Sequence, residues 1–362
     1  MEKPTLHLIG LFHTICNHDY DHCAFTGKVM RFGKMMRQQG YNVIEYSNGV
    51  SISEVNEQVQ IMTEEELLSY TKTKDTVNSN IFSMGTEHWK VFDRKLKEEI
   101  VKRAKPGDII CHTFGPAHQD LIKILPNCFH VETGIGYNNK GFGAFRIFES
   151  YAWMHYHQGL EQRYGNDYEF VVPNYYDLKD WEPNYEEGKY LLYFGRVVTE
   201  KGLLIIQEIA KRMDAPIRIV GNGNLELFKG KNMQIEGPLT GVKERSDLLR
   251  NAKAVLMPTR FTEPFGGVGV EAMLCGTPVI SAPYGAFTET VEHGKTGFRC
   301  HTLGDYLAAI ENINSIDREY VAKRARELYS LETVGKMYDK VFQQISDLRQ
   351  YGWYTLEPRH VL

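Results

Sequence analysis

Between residues 189 and 281 the sequence alternates between short apolar runs and amphipathic segments. KYLLYFGRV reads as a strand, GLLIIQEIAKRM as a helix and IRIVGNGN as a strand. KERSDLLRNA then reads as a helix, AVLMPTR as a strand, GGVGVEAMLCG as a helix and PVISA as a strand. Strands that alternate with helices in this way build a parallel sheet covered by helices on both faces. The chain opens with the same rhythm. TLHLIGLFHTI is a buried strand; Val29, Phe32, Met35 and Met36 mark a helix that Gly40 stops; NVIEY is the next strand. GDIICHTF and CFHVETG add two more strands. The expected fold is therefore α/β with two Rossmann-like, doubly wound domains, 1–172 and 173–335, joined near VVPNYYD. A length of 362 residues accommodates about two such domains.

Chemistry concentrates in PTRFTEPFGGVGVEAMLCGTPVI, residues 258–280. A strand ends, a turn carries Glu263, Pro264, Phe265, Gly266 and Gly267, and a helix starts near Val268. The glycines let backbone N–H groups approach a ligand. The helix start adds free donors and a partial positive charge, a setting for phosphate or hydroxyl groups. Glu271 lies one turn into the helix, and helical side chains lean toward the N-terminus. Its carboxylate and that of Glu263 thus flank the glycine turn. In YFGRVVTEKG, Arg196 and Lys201 follow a strand that ends at Gly195. A cation pair at that edge suits a diphosphate.

FGRVVTEKG, IVGNG, EGPLT, the 258–280 segment and GKTGF occur in that order over about a hundred residues. Together they resemble the C-terminal domain of GT-B glycosyltransferases of the retaining, family-four kind, whose mark is a Glu-x7-Glu motif. The resemblance implies two facing domains with a nucleotide sugar between them, the first binding acceptor and the second donor. It also implies a C-terminal helix, 336–362, that returns to the first domain. Arg196 and Lys201 would hold the diphosphate and stabilise the charge on the departing nucleotide. Glu263 would touch the donor sugar, with Phe265, Gly266, Gly267 and Val268 around it. Glu271 would take the ribose hydroxyls, and Gly221, Asn222, Pro238 and Leu239 would border the base. Gly27 would approach the donor phosphates from the first domain's loop. No cofactor or metal is implied; the UDP- or GDP-linked sugar is a co-substrate.

The family often places a histidine after the strand that here reads CFHVETG. Glu132 stands near that position. Two readings stay open for it: a catalytic carboxylate facing the ligand, or a buried carboxylate bonded to backbone. CNHDYDHC, residues 16–23, lies on the loop toward the expected site. Cys16, His18, His22 and Cys23 are four donors, but adjacent His22 and Cys23 fit one tetrahedron poorly and paired C-x2-C knuckles are lacking. His18 and His22 are instead expected to bind acceptor hydroxyls, with a solvated loop as the rival reading. Tyr137, in a glycine-rich stretch ending at Phe145, is expected at the acceptor, and a core helix carrying Phe148, Tyr151 and Ala152 is expected to follow.

Lys28, Arg31, Lys34 and Arg37 form a basic stripe. It suits a phosphate-bearing acceptor, a peripheral membrane contact or DNA, or else is a solvated face. The net charge of −4 gives no general pull toward DNA. A DNA-base-modifying glycosyltransferase is therefore the less favoured alternative, beside a nucleotide-sugar epimerase and a non-catalytic nucleotide-sugar binder. With no apolar run near the roughly 18 residues of a membrane span, no secretory leader and six scattered cysteines, a cytoplasmic protein is expected.

Overall fold

The computed structural model describes residues 3–20, 23–76, 79–143, 145–213, 216–224, 232–239 and 241–351. The chain divides into two compact units. The first comprises Met1–Glu149, His157–Tyr175 and Leu331–Leu362; the second comprises Ser150–Tyr156 and Tyr176–Ser330.

The first unit contains β1 (Leu6–Ile9), α1 (Ala24–Gln38), β2 (Val43–Ser47), β3 (Glu57–Gln60), α2 (Glu64–Thr71), α3 (Glu87–Ile100), β4 (Ile109–His112), α4 (Leu121–Ile124), β5 (Phe129–Ile135), β6 (Phe145–Phe148), the last turn of α5 (Tyr151–Leu160) and β7 (Glu169–Val171). Its strands form one parallel sheet in the order β3-β2-β1-β4-β5-β6-β7. Both faces are buried. One packs on Phe32, Met35 and Met36 of α1 and on residues 331–345; the other packs on Phe92, Leu96 and Ile100 of α3. The helical spacing of Val29, Phe32, Met35 and Met36 is what presents one apolar stripe of α1 to the sheet.

The second unit contains β8 (Tyr190–Phe194), α6 (Leu203–Arg212), β9 (Ile217–Val220), β10 (Met233–Glu236), α7 (Val242–Arg250), β11 (Ala252–Met257), α8 (Gly267–Leu274), β12 (Val279–Ser281), α9 (Phe287–Thr290), β13 (Gly297–Arg299), α10 (Leu303–Glu311) and α11 (Arg318–Tyr329). The sheet order β10-β9-β8-β11-β12-β13 repeats the first unit's order from its edge strand onward, and every pairing is parallel.

Two expected elements differ. Phe145–Phe148 is a strand, and the helix starts only at Tyr151, so Phe148 does not share a helix with Tyr151 and Ala152. The C-terminal helical stretch is broken: Ser330 is extended and bridges Tyr176, which separates α11 from α12 (Leu331–Tyr351). α12 then packs on α1 within the first unit.

Candidate functional site

In a doubly wound sheet the strand order reverses at one point, and the loops at the C-terminal ends of the two strands there leave a crevice. In the second unit that point lies between β8 and β11. Immediately after β8 stands Gly195, whose N–H donates to the Val220 carbonyl at 3.0 Å. A Cβ on Gly221 would sit 1.8 Å from the Gly195 carbonyl oxygen. Only glycine lets these two strand ends come so close. Arg196 is exposed, and its carbonyl accepts the Tyr193 hydroxyl at 2.6 Å. Lys201 ends a single turn that is stitched to the β11 loop, where the Arg260 N–H donates to the Glu200 carbonyl at 2.7 Å.

After β11 comes the glycine turn. Gly266 caps α8 with φ 78°, a left-handed conformation, and a Cβ there would lie 2.7 Å from the Phe287 ring. Glu263 is 9% exposed and Glu271 8% exposed. Buried carboxylates need partners, and each has a cation. Lys201 Nζ donates to Glu263 Oε2 at 2.6 Å and lies over the Phe261 ring. Arg245, from α7, donates to Glu271 Oε2 and lies near the rings of Trp181 and Phe194. One edge thus gathers Lys201, Glu263, the start of α8, Glu271 and Arg245. Arg245 was not singled out from sequence. Among the expected base-bordering residues, Asn222 accepts the Val197 N–H at 2.7 Å; Pro238 is exposed, and Leu239 packs on the core.

The first unit's reversal point lies between β1 and β4. The loop after β1, Gly10–Ile15, is pinned by Asn48, whose side-chain amide donates to the carbonyls of Leu11, Phe12 and Thr14 at 3.2–3.4 Å. His13 in this loop is 3% exposed, and its Nδ1 has no hydrogen-bond partner. Burial, with His88 nearby, lowers its pKa to about 3. Its ring lies 5.3 Å from Phe114, which follows β4. Phe25 lies 5.8 Å from Phe114 and 6.4 Å from Tyr137. No sequence signal marked His13 or Phe114.

The residues expected at this edge divide. Glu132 is wholly buried and accepts Phe142 N–H at 3.1 Å, Gly143 N–H at 3.2 Å and the Tyr137 hydroxyl at 3.0 Å, with Arg146 at 3.6 Å. Burial pushes its carboxyl up and Arg146 pulls it back. This is the geometry of a carboxylate that organises the 137–143 loop. Gly27 lies inside α1, not on the loop before it, and its N–H is taken by Cys23 O at 3.2 Å; that N–H is spent on the helix. Lys28 Nζ is engaged by the buried Glu149 and lies over the Phe25 ring. His18 is exposed; His22 lies outside the described residues. Cys16 is a core residue, with its thiol pushed far up by burial. Among the described residues no cluster of three metal-ligating side chains occurs, and no helix is long and apolar enough to cross a membrane.

Residues 188–316, all within the second unit, match the family model for glycosyl transferases group 1. Among curated relatives, the D-inositol 3-phosphate glycosyltransferase of Paenarthrobacter aurescens is 28% identical over 186 residues, 42% of this chain and 45% of that protein. The match thus spans about half the length of the relative. Among solved structures, a glycosyltransferase involved in avilamycin A biosynthesis superposes with a TM-score of 0.66 at 17% identity, covering 95% of this chain and 98% of that one. Anabaena HepE, solved with UDP and glucose, superposes with a TM-score of 0.67 at 14% identity, covering 94% and 99%. The fold is that of the GT-B enzymes, two Rossmann-like parallel-sheet units.

Proposed function

We propose that this chain, whose second unit is a group 1 glycosyltransferase domain, is a retaining glycosyltransferase that moves a hexosyl or pentosyl group from a nucleotide sugar to an acceptor hydroxyl without a metal. One observation carries the reading: Lys201, Glu263, the α8 N-terminus, Glu271 and Arg245 converge on the β8–β11 edge as two buried cation–carboxylate pairs. Lys201 and Arg196 bind the diphosphate and stabilise its charge as the glycosidic bond breaks. The amide groups at Phe265–Val268 hold the sugar and phosphates, and Glu263 orients the sugar. Glu271 takes the ribose hydroxyls, while Gly221, Asn222, Pro238 and Leu239 border the base. The bond from the anomeric carbon to phosphate oxygen breaks, the bond to the acceptor oxygen forms on the same face, and the acceptor proton passes to the departing phosphate. Acceptor recognition falls to the first unit, with His18, His22, Tyr137 and the 137–143 loop that Glu132 organises. HepE's complex with UDP and glucose supports a UDP-sugar as the first donor to try. The six free cysteines support a reducing compartment, the cytoplasm.

A thermal-shift screen with UDP-, GDP- and ADP-sugars tests this. At 100 times its dissociation constant a ligand adds about 2.7 kcal/mol of stability. At least one sugar nucleotide raises the melting temperature, and Lys201→Ala or Glu271→Ala abolishes the rise. A shift that survives both substitutions places the donor elsewhere.

A further inference from the structure

The first unit's reversal point differs chemically from the second's. Its walls are His13, after β1, and Phe114, after β4, with Phe25 and Tyr137 beside them. Phe25, Phe114 and Tyr137 are half-buried, so ring surface remains open. A buried imidazole nitrogen without a partner is costly, and His13 Nδ1 is such an atom, in the loop that follows β1. Sites for small molecules are built this way, with aromatic walls and a few placed polar groups.

Three of the four cations of the α1 stripe are already committed. Lys28 is held by Glu149, whose other oxygen accepts the Asn174 amide at 3.0 Å. Arg31 Nε donates to the Tyr175 carbonyl at 3.1 Å. Lys34 pairs with Glu54 at 2.7 Å. Arg37 is nine residues beyond Lys28 on α1, about 13 Å along an axis that leads away from the edge. Of the basic stripe only Lys28 reaches the crevice, its ammonium over the Phe25 ring and neutralised by the buried Glu149.

We propose that the acceptor bound at the β1–β4 edge is an uncharged sugar ring, its C–H face stacked on Phe114 and Phe25 and one hydroxyl bonded to His13 Nδ1, and not a phosphate-bearing acceptor. The proposal rests on the transferase reading for calling the ligand an acceptor, but its chemistry is read from this edge alone. Asn48 is a positioning residue: its three bonds hold the loop that carries His13.

Saturation-transfer NMR on the full chain tests it without any donor. The probes are methyl α-D-glucopyranoside and methyl α-D-mannopyranoside, each against glucose 6-phosphate and mannose 6-phosphate. At least one neutral glycoside receives saturation at its ring C–H protons. Phe114→Leu, at a half-buried position, weakens that binding about tenfold, as does His13→Gln, while the thermal shift given by the sugar nucleotide is unchanged in Phe114→Leu. Stronger signals from the phosphates, silence from both neutral glycosides, or binding that ignores both substitutions overturns the proposal. Loss of the sugar-nucleotide shift in the unsubstituted protein would instead count against the transferase reading and leave the glycoside result to stand or fall by itself.

Discussion

The two units carry the same strand order, yet their ligand edges are built from opposite chemistry. At the β8–β11 reversal point the loops meet through an ion pair, Lys201 with Glu263. At the β1–β4 reversal point they meet through a neutral imidazole against a phenyl ring, His13 with Phe114. The contrast extends outward. Among the described residues the first unit buries seven histidines: His7, His13, His88, His112, His118, His130 and His157. The second unit's described histidines, His155, His293 and His301, are all exposed. The parallel sheet fixes where a ligand lies, and the loop residues decide whether that place favours charge or a neutral ring.

The sharpest way to break this comparison is to remove the cation at the second edge. Lys201→Met keeps length and apolar stem but leaves Arg196 alone to draw off negative charge. Loss of one such electrostatic contact costs roughly 100-fold in turnover, measured as nucleotide release with a working donor. If release falls less than tenfold, the second edge is not the electrostatic one and the contrast with the first disappears.

Acid should separate the units next. Burial lowers His13 to about 3 and holds His112, His118, His130 and His157 below the usual imidazole value. The unfolded chain, with ordinary histidines near 6.5, therefore binds more protons than the folded one below that pH. Their contribution is complete above pH 6.5 and is lost as pH falls toward each folded value. For His13 alone the loss at pH 5 is about 2 kcal/mol. In the second unit, Arg218 and Arg324 hold Glu236 and Glu292 below the usual carboxylate range, so those pairs stay charged at pH 5. Hydrogen exchange at pH 7.5 and 5, corrected for intrinsic rates, should show β1, β4 and β5 losing protection before β8 and β11. Simultaneous loss, or earlier loss in the second unit, contradicts it.

The same contrast explains what the sequence revealed. The central strands β1, β4, β8 and β11 are buried on both faces and read as apolar runs. The edge strands β3 and β10 escaped notice: EQVQ buries only Val59, and MQIE leaves Gln234 and Ile235 exposed. The second site was legible because Glu263, the glycines and Glu271 fall within nine consecutive residues. His13 and Phe114 stand 101 positions apart, and only the sheet brings them together. Glu132 was noticed as a carboxylate, but its partners at Tyr137, Phe142 and Gly143 depend on how the following loop folds back. Gly27 misled because the α1 start lies earlier than the loop reading assumed.

Arg245 is the finest probe of the charged edge, since 26 residues separate it from Glu271 and no motif names it. Its guanidinium meets Glu271 Oε2 and not Oε1, the oxygen we propose for a ribose hydroxyl, and the rings of Trp181 and Phe194 limit where the group can sit. Arg245→Lys keeps the charge but loses the planar fork that fixes the carboxylate. The donor KM should rise about fivefold, under 1 kcal/mol, with kcat held, because the lost precision concerns binding and not the breaking bond. A 2′-deoxyribose donor should show a smaller rise than its ribose counterpart. Equal rises would make Arg245 a general structural support of α7 and α8, and an unchanged KM would mean that Glu271 does not need its partner to meet the ribose.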